Sequence, residues 1–190
     1  MTEIVREYSD YRVPRQMLGD QEYDGHLSLH DDQMAEDLGF SGAPIEGPTH
    51  FSQFVHLLHG YFGDIWFEKG CISSHYQNMV VEGEEVRAFI EVPPEQTALL
   101  RIGAEKRDGT PVLMGTASIG PKYGQTEIDQ RLGRLRPADQ LVILSDLEVG
   151  QKGKGNPEDA VMGFDQHMGA LYPFSLKEKL ACITETHDFY

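Results

Sequence analysis

The sequence predicts an α+β domain in which an antiparallel β-sheet wraps around a long central α-helix. Three observations predict it. Between Pro48 and Gly63 the residues Phe51, Phe54, Val55, Leu57, Leu58, Tyr61 and Phe62 form one broad apolar face at helical spacing. After Gly70 the apolar period drops to two, with Val86, Ala88, Ile90 and Val92 alternating with Arg87, Phe89 and Glu91. Finally, the pair Asp108 and Gly109 separates the runs TALLRIGAE and PVLMGTASI, a strong short-range hairpin signal. One sheet face can then bury the apolar side of the helix.

Each element follows in order. Residues 1 to 24 hold short apolar islands (Ile4 and Val5, Val13, Met17 and Leu18) without a sustained period. Residues 31 to 38 carry Met34, Ala35 and Leu38 at helical spacing, and Gly39 stops this short helix. SGAPIEGP is a tight loop by composition. Pro48 suits the first turn of the central helix, where its missing N–H leaves no bond unmade. Two strands, CISSHYQNMVV and EEVRAFIEV, flank the Glu82 and Gly83 turn, and the hairpin completes an antiparallel meander.

Beyond Gly120, PKYGQTEIDQRLGRLRPADQ reads as an excursion, QLVILSDLEV as one more strand and QKGKGNPEDA as a loop. The final segment from Gly169 has enough Leu, Ile and aromatic residues to pack against something. The chain is thus expected to divide into a domain over residues 1–120 and a C-terminal extension over 121–190 that packs on the domain or on a dimer.

Composition excludes several classes. A formal charge of −15 disfavours nucleic acid and anionic membrane as partners, since both are bound mainly through Lys and Arg. The charge is uneven, because Lys122, Arg131, Arg134, Arg136, Lys152 and Lys154 fall in one near-neutral stretch. That stretch could serve a small polyanion locally; scattered, solvated side chains are the plainer reading. No apolar run approaches the roughly 20 residues that span a bilayer, and MTEIVREYSDYR lacks the features of a signal peptide, so a soluble, cytoplasmic protein is expected. Cys71 and Cys182 sit in apolar contexts and read as buried free thiols. No P-loop, dinucleotide fingerprint or GxSxG elbow occurs, which leaves covalent catalysis by Ser or Cys without support.

The junction HDDQMAEDLGFSGAPIEG, residues 30 to 47, gathers His30, Asp31, Asp32 and Glu46 just ahead of the central helix. It resembles the signature of the MaoC-like, or (R)-specific enoyl-CoA hydratase, branch of the hotdog fold. YQNMVVEGEEVRAFIEV and DGTPVLMGTASI resemble that family's strand–turn–strand passage and closing hairpin, so the likeness covers roughly residues 20 to 120. The resemblance implies a homodimer and a hydro-lyase acting on a small-molecule acyl thioester. Coenzyme A or a carrier protein would be the substrate's carrier, with no separate cofactor.

It also implies residue roles. His30 matches the signature histidine, and an imidazole, which ordinarily titrates near neutrality, can accept and return a proton. Five residues earlier stands Gly25, where the family has Asp, so Asp24, one residue off, is the candidate acid partner. Asp32 matches a second signature acid on the helix and reads as structural. Gly47 matches the glycine that presents a backbone N–H to the thioester carbonyl; its plainer role is to permit the turn. Asp31 and His50 are assigned to substrate binding at the same junction. Glu46 replaces the usual histidine before that glycine, and Ser28 and Leu29 replace Asn and Pro.

Glu46 opens a second reading, because some hotdog thioesterases use a carboxylate near the start of the central helix. It would then act as base or nucleophile; as a helix N-terminal acid it would only favour the dipole, by roughly 0.3 to 1 kcal/mol. A third reading is a non-catalytic protein that binds an acyl thioester or a hydrophobic ligand. His50, His56 and His59 on the helix, and His26 with His30, lack the ligand set of a zinc site, so no metal is expected. His75 lies in a strand whose facing the sequence leaves open, and Trp66 reads as core.

Overall fold

The computed structural model describes residues 4–16, 30, 32–37, 39–137, 145–153, 163–167 and 175–185. Five strands form one antiparallel sheet: β1 (Val5–Tyr8), β2 (Gly70–Tyr76), β3 (Val86–Val92), β4 (Leu99–Lys106) and β5 (Pro111–Ile119), in the order β1-β3-β4-β5-β2. Helices α1 (Asp32–Asp37), α2 (Gly47–Ser52), α3 (Val55–Phe62) and α4 (Ile65–Lys69) precede β2, and α5 (Glu127–Leu132) and α6 (Leu176–Ile183) follow the sheet. The α+β arrangement of helix against antiparallel sheet is the one the period change from 3.6 to 2 predicts.

The alternation in β3 decides which sheet face is buried. Val86, Ala88 and Ile90 point to the helices, Ile90 pairs across β4 with Ile102, and Leu100 pairs with Ala117 of β5. Phe54 and Leu58, one turn apart, are inaccessible to solvent and fill the centre of this face. Each such side chain contributes on the order of 1.5 to 3 kcal/mol through burial.

Three features depart from the sequence reading. The central helix is divided: α2 ends at Ser52 and α3 begins at Val55, with Gln53 and Phe54 between them still in right-handed helical dihedrals. The chain tightens there, as the Phe54 N–H donates to the Phe51 carbonyl three residues back (3.1 Å) before the Leu58 N–H resumes the four-residue step to Phe54 (2.9 Å). The second departure is topological. The strands flanking Gly83 do not pair with each other; β2 crosses to the far edge and pairs with β5, from Gly70 opposite Ile119 to Tyr76 opposite Leu113. Residues 5–8 add an edge strand that the sequence does not announce, because all four are exposed and carry no burial pattern.

Residues beyond 120 contact the sheet and the helices. In α5, whose N-terminus is closed by a Thr126–Asp129 capping box, the Glu127 N–H donates to Thr116 Oγ1 (3.0 Å) and the Ile128 N–H to Ser73 Oγ (2.9 Å). Ser73 and Thr116 are register partners on the outer face of the sheet. At the other end, Thr49 Oγ1 of α2 donates to the Ile183 carbonyl of α6 (3.0 Å), and the Arg15 N–H donates to Glu185 Oε1 (3.2 Å). The expected strand over 140–149 falls partly outside the described residues; 145–149 are turn and coil. No helix among the described residues is long and apolar enough to cross a membrane.

Candidate functional site

The loop ahead of α2 is fastened from three sides. Its Ile45 N–H donates to the Val80 carbonyl (2.8 Å) and its Ala43 N–H donates to Asp32 Oδ1 (3.0 Å), so Asp32 holds the loop to α1. His30 Nδ1 lies 2.6 Å from the carbonyl of Pro44. A carbonyl only accepts, so Nδ1 carries the hydrogen, and in the neutral ring the lone pair is on Nε2. These bonds fix Glu46, which is 3 % exposed, at the N-cap position of α2.

His30 and Glu46 are brought together here, with Nδ1 3.9 Å from Glu46 Oε1. The Glu46 side chain makes no capping hydrogen bond to α2, though its place at the N-cap keeps the carboxylate at the positive end of the helix. Gly47 follows at once. A β-carbon there would lie 2.5 Å from Tyr76 Oη, so glycine is required by the close approach of that hydroxyl rather than by an unusual dihedral. By area Tyr76 is 47 % exposed, yet its hydroxyl end is covered, and loss of water pushes its pKa up to about 12.

His50 stands one turn beyond Glu46 and is 2 % exposed. Burial pushes its pKa down to about 4, so the ring is neutral at physiological pH. Its Nδ1 and both side-chain polar atoms of Gln53 are buried without a hydrogen-bond partner among the described residues. The His50 ring lies 6.3 Å from that of Tyr76, and Phe51 stacks on the same tyrosine at 6.3 Å. The result is a cluster of buried polar side chains, His50 and Gln53, with Tyr76 beside them at the start of the helix.

Of the sequence-predicted residues, His30, Glu46, Gly47 and His50 therefore share this junction. Asp24 and Asp31 lie outside the described residues. His59 Nε2 pairs with Asp64 Oδ1 at the surface (2.9 Å), and His75 faces the outer side of the sheet beside Glu127 (3.1 Å). Among the described residues no three His, Cys, Asp or Glu side chains are grouped to hold a metal ion. Sequence reasoning missed Tyr76 and Gln53. Tyr76 had a legible signal, since it shares strand parity with Ile72, which packs on the core. Gln53 sits among apolar residues of the helix, and only packing reveals its burial.

No protein-family model matches the chain, and no characterised protein matches it by sequence. Among solved structures it is similar to the (R)-hydratase from A. caviae involved in PHA biosynthesis, at 16 % identity and a TM-score of 0.42, over 63 % of this chain and 96 % of that one. What the junction can do chemically is therefore decided by its own residues.

Proposed function

We propose that the protein is an acyl-thioester hydratase/dehydratase, interconverting a 2-enoyl and a 3-hydroxyacyl thioester carried on coenzyme A or a carrier protein. The observation that carries this reading is the His30–Glu46 pair, 3.9 Å apart, immediately before Gly47. In hydration, water adds through oxygen to the β-carbon and its proton passes to His30 Nε2. The α-carbon takes a proton from a carboxylic acid, for which Glu46 and Asp24 are the candidates, and the Pro44 carbonyl keeps the imidazole oriented. The charge that develops on the thioester oxygen is met by the Gly47 N–H, one of the first-turn donors that a helix leaves without an internal acceptor. His50 and Asp31 would line the acyl group. The reading includes a homodimer, since β2 is an edge strand with backbone groups available for pairing to a second copy.

Hydrolysis is the second reading, supported by the burial of Glu46 just ahead of α2. There Glu46 would activate water against the thioester carbonyl. One assay separates the readings: a short trans-2-enoyl-CoA, with loss of conjugated enoyl absorbance and appearance of free thiol followed together. Absorbance loss without thiol is the expected result. Thiol release overturns hydration in favour of hydrolysis, and silence in both channels with saturable binding makes the protein a non-catalytic thioester binder.

A further inference from the structure

On the opposite side of the sheet from α2, an open groove of about 630 Å³ lies between β2, β4, β5 and α5. That volume is within the range of small-molecule sites, roughly 300 to 1,000 Å³. Its charge is unlike that of the rest of the chain. The guanidinium groups of Arg101, Arg131 and Arg134 line it against one carboxylate, Glu127, a net charge near +2 in a protein that carries −15. Three like charges, from β4, α5 and the turn after α5, line one groove, and an anion placed among them would be favoured.

Glu127 supplies part of that negative charge. Its Oε1 lies 3.7 Å from Arg134 Nη2 and 3.1 Å from His75 Nδ1. The Gln77 side-chain amide donates to His75 Nε2 (3.2 Å), which leaves the ring hydrogen on Nδ1. Arg101 reaches out to Glu91 at 3.5 Å and is 70 % exposed, while Arg131 pairs with no carboxylate among the described residues. The remaining walls are mixed: Gln77, Thr116 and Gln130 are polar, and Leu99 and Met114 from the sheet with Leu135 beyond α5 form an apolar strip beside the arginines.

We infer that this groove binds a small amphipathic anion, with a phosphate or carboxylate head between Arg131, Arg134 and Arg101 and a short apolar body over Met114 and Leu135. Guanidinium forks suit such heads because they donate two parallel hydrogen bonds to paired oxygens. Glu127 competes with the ligand for Arg134, so its charge opposes binding. The inference concerns a second site and stands apart from the chemistry proposed at His30 and Glu46.

The test titrates the full chain at low salt with hexyl phosphate, hexanoate and hexanol by calorimetry. Saturable binding of hexyl phosphate or hexanoate is expected, the tighter of the two naming the head group, with hexanol at least tenfold weaker. Arg131→Ala and Arg134→Ala, both surface changes, should each weaken binding about tenfold. Glu127→Gln should strengthen it severalfold. Equal binding of hexanol, unchanged affinity in both arginine variants, or no binding of either anion overturns the inference.

Discussion

His30–Glu46 and His75–Glu127 are the same two residue types, placed on opposite sides of one sheet. The outer pair is the closer, 3.1 Å against 3.9 Å, yet its surroundings suit it to binding rather than proton transfer. Glu127 lies 3.7 Å from Arg134 in a groove lined by two further arginines. Glu46 is buried at the head of a helix, with neutral His50 one turn away. Proximity alone therefore says little about a carboxylate's role; the charges and the water around it decide whether it holds a proton, orients a partner or simply pairs.

The sharpest break of this comparison is a paired substitution. Glu46→Gln should lower hydratase turnover by roughly 10² to 10⁴-fold, the range of a positioned acid or base, whereas Glu127→Gln should leave it within about twofold. Equal losses in steady-state kinetics would mean that both faces serve one reaction.

The next largest effect is on stability. His50 has a folded pKa of about 4, below the ordinary 6.5, so the unfolded chain binds the proton more readily. Stability is then full above about pH 6.5, declines as pH falls toward 4, and flattens below it, a total on the order of 3 kcal/mol. Urea midpoints across pH 7.5 to 4 should show this slope in the native protein and a shallower one in His50→Gln. An unchanged slope in that variant would assign the acid sensitivity elsewhere.

Gly47→Ala tests the contact between the helix start and Tyr76. The added methyl meets the tyrosine hydroxyl and should destabilise by about 1 to 3 kcal/mol in denaturant titrations, with most of the loss recovered in the Gly47→Ala, Tyr76→Ala double variant. Non-recovery would show that the glycine is needed for another reason. Smallest of all is Arg107→Ala, which removes an exposed ion pair with Glu85 and should leave the melting midpoint where it is.

Much of the inner face was legible from the sequence. The run through Phe54 and Leu58 and the alternation through Ala88 and Ile90 mark the core because burial imposes a period, and a period survives in one dimension. The Asp108 and Gly109 hairpin was legible because a tight turn demands particular residues, and Gly109 does take a positive φ of 88°. The junction at residues 30 to 50 was legible because His30, Glu46, Gly47 and His50 lie close along the chain. The edge strand at Val5–Tyr8 was not, since nothing in it is buried. Nor was the arginine groove: Arg131 and Arg134 stood out as part of a near-neutral stretch, but their neighbour Arg101 comes from a strand some 30 residues away.

The sequence by itself determined the fold class, the position of the buried helix and the stretch in which His30 and Glu46 stand just ahead of a helix start, because each depends on residues close together along the chain. Only the tertiary structure decided that β2 crosses to β5, that Tyr76 closes over Gly47 and that His75 meets Glu127 outside the sheet. These pairings join residues about 30 to 50 positions apart. They are set when the sheet closes around the helix and strand register brings each side chain to one face or the other, which no local pattern encodes.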